Sequence, residues 1–209
     1  MAKLLYIEGS PRGERSKSTA VAQDFLKAYK AAHPQDTVET LDLWSVSLPT
    51  FDGDMLDAKY AVLHGQAQTA EQAAAWKTVA DMAASFAAAD KYLISVPMWN
   101  FSIPYKVKHF FDIIIQPGLT FSFSPKTGYQ GLVTGKKAVI VYARGGAYGP
   151  GSGAESYDLQ TKTLGGLLGF IGITEQHNIL VEPTLAGADA VAQTIDKAGQ
   201  EAHKVAQSF

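Results

Sequence analysis

The segment from Leu4 to Thr19, LLYIEGSPRGERSKST, limits the possible folds more than any other part of the chain. Its four apolar residues, Leu4 to Ile7, are typical of a strand that is buried on both faces of a parallel sheet. A polar loop follows, and then the stretch AVAQDFLKAYKAA, whose apolar residues recur at helical spacing after a predicted N-cap at Ser18. A strand, a loop and a helix in immediate succession predict an α/β fold.

The loop between this strand and this helix has the composition of an anion-binding site. Cations alternate with hydroxyl groups in it, at Ser10, Arg12, Arg15, Ser16, Lys17, Ser18 and Thr19. Free backbone N–H groups and the positive end of the helix dipole point at such a loop, so a phosphate monoester fits it. The P-loop pattern GxxxxGK[ST] and the dinucleotide pattern GxGxxG are absent, because Gly9 and Gly13 are the only glycines here. An ordinary capped helix preceded by solvated charges would produce the same pattern.

The composition of the chain excludes several classes of protein. With 209 residues, 46% of them hydrophobic and 18% charged, the chain is long enough for one domain with a substantial core. The formal net charge of −2 and the lack of basic runs argue against a nucleic-acid partner. There is no cysteine, and no apolar run is long enough for a signal peptide or a membrane span. These features predict a cytoplasmic protein without a membrane or nucleic-acid partner.

Strand and helix patterns alternate along the chain. Apolar runs predict five strands, at residues 3–8, 38–43, 91–96, 137–142 and 175–181. Helical spacing predicts five main helices, at residues 18–32, 69–89, 105–115, 159–170 and 189–206, and a possible short helix within the connection 44–65. This alternation predicts a doubly wound α/β sandwich, which binds ligands outside the carboxyl ends of its strands, where the strand order reverses. The loops at those ends are 9–17, 97–104 and 143–155.

The loop after the third predicted strand, PMWNFSIP, combines rigid and aromatic residues. Pro97 and Pro104 are expected to hold an extended turn, in which Trp99 and Phe101 offer apolar surface and Asn100 offers an amide. Such a frame suits a planar heteroaromatic ligand. Packing of these aromatic residues against a neighbouring helix is the alternative.

The loop after the fourth predicted strand, YARGGAYGPGSGAES, is rich in glycine. Because glycine allows close backbone approach, Arg144, Gly145, Gly146 and Tyr148 are candidates for contact with the carbonyl-rich edge of a ring. A flexible surface loop is the alternative, and residues 149–153 fit that description better.

The segment 118–135, GLTFSFSPKTGYQGLVTG, has the pattern of an aromatic hairpin. Phe121 and Phe123 alternate with small polar residues before a turn at 125–128, so their rings are expected on one face. Exposed rings would form an apolar patch, which indicates a partner subunit or a substrate at this face.

The three loops offer no obvious acid, base or nucleophile. The five histidines show no metal-ligand spacing, no Ser-His-acid arrangement falls on the loops, and no acid pair there suits hydrolysis. A phosphate site and a ring slot without reactive side chains indicate that a bound cofactor carries the chemistry. Flavin mononucleotide (FMN) fits both features, and no metal ion is expected.

Several motifs together resemble the FMN-dependent NADH-azoreductases, also named FMN-dependent NADH:quinone oxidoreductases, over essentially the full length of the chain. They are SPRGERSKS at 10–18, PMWNFSIP at 97–104, GLTF and GLVTGKK within 118–137, ARGG at 143–146 and LGFIGI at 168–173. The resemblance implies one flavodoxin-like domain over residues 1–209, a three-layer sandwich with a five-stranded parallel sheet of order 2-1-3-4-5 and helices on both faces. The aromatic hairpin at about 118–135 is an insertion in this domain.

The resemblance also implies roles for individual residues. The phosphate and ribityl contacts of FMN would be Ser10, Arg12, Ser16, Lys17 and Ser18. The loop along the isoalloxazine ring would be Pro97, Met98, Trp99, Asn100 and Phe101, and its far edge would contact Ala143, Arg144, Gly145, Gly146 and Tyr148. In a homodimer with active sites at the interface, Phe121 and Tyr129 of one subunit would cover the flavin of the other. The residues expected to take part in catalysis are Asn100, Arg144, Tyr148, Phe121 and Tyr129.

The activity implied by the resemblance is the two-electron reduction of quinones and azo compounds. NADH, with NADPH as an alternative donor, gives a hydride to flavin N5 and leaves, and the acceptor then binds in the same slot in a ping-pong order. Arg144 and the glycine N–H groups would stabilise the reduced ring. Two other functions are compatible with the residues: a flavodoxin-type electron carrier without its own substrate turnover, and a nucleotide-binding module that uses SKST as a degenerate P-loop.

Overall fold

A five-stranded parallel sheet forms the centre of the computed structural model, which describes every residue from Met1 to Phe209. The chain contains seven strands: β1 Lys3–Glu8, β2 Thr37–Asp42, β3 Lys91–Pro97, β4 Phe121–Ser124, β5 Gly128–Gly131, β6 Lys137–Ala143 and β7 Glu175–Val181. The sheet has the order β2-β1-β3-β6-β7, and β4 and β5 form a separate antiparallel hairpin. When only the sheet strands are counted, this is the predicted order 2-1-3-4-5, and the predicted hairpin is confirmed.

Six α-helices connect and flank the strands. They are α1 Lys17–Ala32, α2 Gly53–Leu63, α3 Ala70–Ala87, α4 Tyr105–Ile114, α5 Leu159–Phe170 and α6 Ala188–Ser208. Helix α2 lies in the long connection for which the sequence indicated only a possible short helix. None of the six has the length and apolar character needed to span a membrane.

The start of α1 differs from the prediction that Ser18 is its N-cap. The N-cap is Ser16, whose Oγ accepts a hydrogen bond from the backbone N–H of Thr19 at 3.3 Å. A short 3-10 turn at Gly13–Arg15 brings the chain into the helix earlier than the apolar periodicity suggests. Ser18 therefore lies inside the first turn of α1.

Two hydrophobic cores cover the two faces of the sheet. Because side chains alternate along a strand, Leu5 and Ile7 of β1 lie on one face and Leu4 and Tyr6 on the other. The first face packs against α3, α4 and α5 in a cluster of 25 buried residues, and the second packs against α1 and α6 in a cluster of 18. Each large apolar side chain buried in this way contributes about 1.5–3 kcal/mol relative to exposure. The predicted three-layer arrangement is thus the observed one.

A polar cluster closes the amino-terminal edge of the sheet, opposite the predicted binding loops. Asp36 accepts hydrogen bonds from the Tyr29 hydroxyl at 2.6 Å and from the backbone N–H of Ala2 at 2.6 Å. The ammonium group of Lys91 lies 3.3 Å from Asp36 Oδ2 and also donates to the carbonyl of Phe209 at 3.0 Å. The cluster joins α1, β3 and the C-terminal residue, and these contacts, the Tyr29 hydrogen bond first, lower the pKa of Asp36.

We expect Asp36→Asn to lower the free energy of unfolding by an amount that depends on pH. A carboxyl group with a lowered folded-state pKa stabilises the fold above its unfolded pKa of about 3.9, and that contribution is lost as the pH falls toward the folded value. Urea unfolding of both proteins between neutral and acidic pH measures the difference. It should be constant above about pH 5 and shrink as the pH falls further; a difference that stays constant to low pH would contradict this assignment.

Candidate functional site

The three loops singled out by the sequence meet at the carboxyl edge of the sheet. β1 pairs with β3, and β3 pairs with β6, so the loops that follow these strands start side by side. Main-chain hydrogen bonds join them at their bases: the N–H of Gly9 donates to Ser95 O, and the N–H of Met98 donates to Ala143 O, both at 2.8 Å. The strand order reverses between β1 and β3, as it does at the ligand-binding edge of doubly wound sheets.

The first loop and the start of α1 form a cradle of hydrogen-bonding groups. Ser10, Ser16 and Ser18 are all buried, and the Oγ atoms of Ser16 and Ser18 lie 3.1 Å apart. The backbone N–H groups of Lys17 and Ser18 have no partner in the protein, and they stand at the positive end of a 16-residue helix. Buried hydroxyls and free N–H groups at this position suit a phosphate group. The side chains of Arg12 and Lys17 are exposed at the rim.

A carboxylate lies under the cradle. Glu8, the last residue of β1, accepts a hydrogen bond from Thr19 Oγ1 at 3.0 Å. Burial raises the pKa of Glu8, because desolvation disfavours its charged form.

Gly9 and Trp44 hold the base of the first loop in place. A Cβ atom on Gly9 would lie 2.8 Å from Val107 Cγ2 and 2.9 Å from Ser95 O, so only glycine fits between β3 and α4. The indole Nε1 of Trp44 donates to Gly9 O at 3.1 Å. Trp44 was not among the predicted site residues, although its place just after β2, at the same edge of the sheet, was a usable signal.

The second loop is a tight turn and not the extended segment that its two prolines suggested. The N–H of Trp99 donates to Ser102 O at 2.9 Å, and the N–H of Ser102 donates to Trp99 O at 3.0 Å. The two residues between them, Asn100 and Phe101, have φ angles of 46° and 69°, as in a type I′ turn. A left-handed conformation costs about 1–2 kcal/mol for a residue such as Phe101. The backbone N–H groups of Asn100 and Phe101 have no hydrogen-bond partner in the protein.

The aromatic side chains of this turn point to opposite sides. The Trp99 ring lies 5.7 Å from that of Trp44 and 6.1 Å from that of Tyr105. The Phe101 ring lies 5.2 Å from that of Tyr157 and 6.1 Å from that of Tyr148. Trp99 and Phe101 remain 38% and 42% exposed, so they offer apolar surface on both sides of the turn. Tyr157 was not predicted, because it lies in a short 3-10 turn whose position only the folded loop determines.

Arg144, which the resemblance assigns to the far edge of the isoalloxazine ring, is buried beneath the third loop. Its side chain has no exposed surface, and the guanidinium points into the protein between two carboxylates. Nη1 donates to Glu182 Oε2 at 3.2 Å, Nη2 lies 3.1 Å from Asp158 Oδ2, and Nε donates to Gln160 Oε1 at 3.0 Å. The guanidinium is therefore enclosed by protein groups and is not a free donor at the loop surface.

Backbone groups remain available in the third loop. The N–H groups of Gly145 and Gly146 have no hydrogen-bond partner in the protein. Glu182 holds the far end of this loop, because its carboxylate accepts from the N–H of Tyr148 at 2.8 Å and of Gly149 at 2.9 Å. Glu182 and Gln160 were not predicted as part of the site, since neither lies on the three loops that the strand pattern identified.

Some aromatic rings of the hairpin β4-β5 pack against Phe170 of α5, and some are largely exposed. The Phe121 ring lies 4.8 Å from that of Phe170, and the Tyr129 ring lies 5.6 Å from it. Phe123 and Tyr129 are 59% and 63% exposed, whereas Phe121 is partly covered. The outward surface of the hairpin is therefore formed by Phe123 and Tyr129 more than by Phe121.

Gly131→Ala is expected to displace the hairpin without unfolding the sheet. A Cβ atom on Gly131 would overlap with the backbone of Ile171 and Gly172 at the end of α5, which cannot move as a flexible side chain would. Limited proteolysis should show faster cleavage within residues 118–135 and little change elsewhere. Gly128→Ala is the control for a hairpin glycine with open space around its Cβ position, although its φ of 68° adds local strain. Equal protection of the hairpin in the wild type and Gly131→Ala would contradict the close packing.

Comparisons with known proteins agree with this geometry. Residues 2–206 match a protein family described as having a flavodoxin-like fold. The chain is 51% identical over 209 residues to an FMN-dependent NADH:quinone oxidoreductase of Desulfotalea psychrophila, and the match covers 100% of this chain and 98% of that relative. The crystal structure of an azoreductase from Bacillus anthracis superposes with a TM-score of 0.90 at 32% identity, with both chains fully covered.

A second solved structure has the cofactor bound. It is an FMN-dependent NADH-azoreductase from Bacillus anthracis in complex with FMN, with a TM-score of 0.89, 26% identity and coverage of 99% of this chain and 98% of that one. The family match covers nearly the whole chain, and the relative is 51% identical over its full length. Together they show the family. The chain belongs to the flavodoxin-like family and, within it, to the FMN-dependent NADH:quinone oxidoreductases.

Proposed function

We propose that this protein is an FMN-dependent NADH oxidoreductase that reduces quinones and azo compounds. The observation that carries the proposal is the convergence of unpartnered N–H groups from three loops on one edge of the sheet, next to a cradle of buried serines. The names of the full-length relatives and the FMN-bound structural neighbour support it.

The cradle at the start of α1 would hold the terminal phosphate of FMN. Ser10, Ser16 and Ser18 supply hydroxyl groups, and the free N–H groups of Lys17 and Ser18 supply backbone donors. The exposed side chains of Arg12 and Lys17 add positive charge at the rim. The chain contains no cysteine, so the cradle is not a phosphatase loop of the cysteine-nucleophile kind, and its role would be to anchor the cofactor.

The other two loops would hold the flavin ring. The turn from Pro97 to Phe101 supplies apolar surface and the free N–H groups of Asn100 and Phe101. The third loop supplies the N–H groups of Gly145 and Gly146, which suit the carbonyl-rich edge of the ring and would stabilise negative charge that develops there. Arg144 would support this loop from beneath through its buried contacts with Asp158, Glu182 and Gln160. The Tyr148 ring lies next to that of Phe101 at the same edge.

FMN, when bound, supplies the chemistry of accepting a hydride from NADH and passing two electrons to the acceptor. The protein binds and orients the ring and leaves one face to be used in turn by donor and acceptor, which predicts ping-pong kinetics. No residue in the loops is an evident selector for the 2′-phosphate of NADPH, so both donors are to be tested.

Purification and steady-state kinetics test the proposed function. The purified protein should be yellow, or become yellow on addition of FMN, and should oxidise NADH with a quinone acceptor, giving parallel lines in double-reciprocal plots. A colourless protein that does not take up FMN would overturn the proposal. A yellow protein without quinone or azo turnover would instead favour the electron carrier.

The dimer is part of this proposal. The hairpin exposes Phe123 and Tyr129, and α2 exposes further apolar side chains at Leu56, Tyr60 and Leu63. Such surfaces on a protein of this size are typical of subunit contacts. Light scattering at micromolar concentration should give the mass of two chains, and Tyr129 would then cover the cofactor of the partner subunit together with Phe121 or Phe123. A monomer under these conditions would remove the covering role from all three residues.

A further inference from the structure

A buried side-chain network lies directly beneath two of the three loops. Arg144 is at its centre, and a fully buried guanidinium destabilises a fold strongly unless opposite charges and hydrogen-bond acceptors surround it. Glu182 and Asp158 provide the charges, at 3.2 Å from Nη1 and 3.1 Å from Nη2. The third partner is neutral, because Nε donates to Gln160 Oε1 at 3.0 Å.

Gln160 uses the other end of its amide outside this network. Its Nε2 donates to Val96 O at 3.2 Å, and the residue is fully buried in the first turn of α5. Val96 stands immediately before Pro97, at the base of the turn that carries Asn100 and Phe101. One side chain therefore joins the loop after β3 to the loop after β6.

The link needs a side chain that accepts at one end and donates at the other. The guanidinium of Arg144 donates hydrogen bonds and never accepts them, and the carbonyl of Val96 accepts and never donates. Glutamine meets both requirements. An ionised glutamate would satisfy Arg144 but place an acceptor against Val96 O, and methionine, which has nearly the same shape, would satisfy neither.

The third loop is also fixed at its far end. The carboxylate of Glu182 accepts from the N–H groups of Tyr148 and Gly149, at 2.8 and 2.9 Å. The unpartnered N–H groups of Gly145 and Gly146 lie between these two fixed points. A loop that is tied at both ends holds its free donors in place before any ligand binds, and pre-organised donors bind more tightly because less conformational freedom is lost on binding.

We infer that Gln160 is a positioning residue. It fixes the position of the turn 97–101 relative to the loop 144–149, so that the free N–H groups of both can contact one planar ligand. The inference rests on the proposed function for the identity of that ligand, FMN. The coupling between the two loops is a property of the chain and is measurable without FMN.

Gln160→Met tests the inference against a matched control, Gln116→Met. Gln116 is also buried, but its amide donates to Asp112 O and Ile113 O at the end of α4 remote from Tyr105 and the loops. FMN affinity is measured by fluorescence titration, and backbone amide exchange is measured on the FMN-free proteins. Gln160→Met should weaken FMN binding about tenfold and speed exchange in both loops. Gln116→Met should leave FMN affinity and loop exchange close to the wild type at a similar loss of melting temperature.

Gln160→Glu at mildly alkaline pH keeps the inference testable if the methionine variant does not fold. Its carboxylate keeps the contact with Arg144 and loses only the one with Val96, so exchange should become faster in residues 97–101 and stay unchanged in 144–149. Wild-type exchange in both loops of Gln160→Met, with wild-type FMN affinity, would overturn the inference. If the wild type fails to bind FMN, the proposed function is wrong, and the exchange pattern still decides whether Gln160 couples the loops.

Discussion

Ser18→Asp is expected to weaken FMN binding by about a hundredfold or more at low salt. Ser18 is buried in the first turn of α1, with its Oγ 3.1 Å from that of Ser16 and its N–H free for a ligand. A carboxylate at this position would stand against the phosphate, and two such charges about 4 Å apart repel by about 4 kcal/mol where the effective dielectric constant is near 20. FMN titration by fluorescence measures the change.

Ser18→Asn is the control for size. Asparagine has nearly the same shape as aspartate and no charge, so the difference in FMN affinity between the two variants isolates the electrostatic term. If Asp and Asn variants bind FMN equally at low salt, the phosphate does not lie at the start of α1.

Arg144→Met is expected to lower the free energy of unfolding by about 3–5 kcal/mol, because it leaves Asp158 and Glu182 beneath the loop without their cation. The guanidinium has no exposed surface, so solvent cannot replace it. Urea unfolding of the FMN-free proteins measures the loss without any contribution from cofactor binding.

A second substitution separates charge from lost packing. Asp158→Asn in the Arg144→Met background removes one uncompensated carboxylate, while the amide oxygen can still accept from the N–H of Thr161 and the amide NH2 group can donate to Thr161 Oγ1. The double variant should therefore be more stable than Arg144→Met alone. Lys77→Met, which removes an exposed cation 2.6 Å from Asp81, should change stability by less than about 1 kcal/mol. If Arg144→Met and Lys77→Met lower the free energy of unfolding equally, the buried ion pairs of Arg144 do not contribute to stability more than an exposed pair does.

Much of the fold follows from local sequence patterns. A run such as Leu4 to Ile7 predicts a buried strand because alternate side chains must both find apolar neighbours, and the structure buries them in the two cores. The strand–helix alternation also predicts which loops share the carboxyl edge, since right-handed crossovers leave few other arrangements. The buried serines of the first loop and the glycines of the third were identified in this way.

The details of the site depend on contacts that no local pattern contains. Ser16 caps α1 in place of Ser18 because the 3-10 turn at Gly13–Arg15 sets where the helix begins. Asn100 and Phe101 adopt positive φ because Trp99 and Ser102 close a hydrogen-bonded turn around them, whereas the prolines alone suggested extended chain.

Arg144 is the clearest case of a site residue whose environment depends on tertiary contacts. Its side chain faces inward because it meets Asp158, which lies just before α5, and Glu182, which lies just after β7, and both contacts exist only in the folded chain.

The sequence by itself determined the α/β class and the positions of the loops, since these follow from the period and polarity of short segments, and its resemblance to a known family implied the strand order. Only the tertiary structure decided which polar groups of those loops are free to bind a ligand and which are used to hold the loops in place. The physical reason is that a donor or a charge becomes available or occupied through partners from distant segments, and these partners are present only in the folded chain.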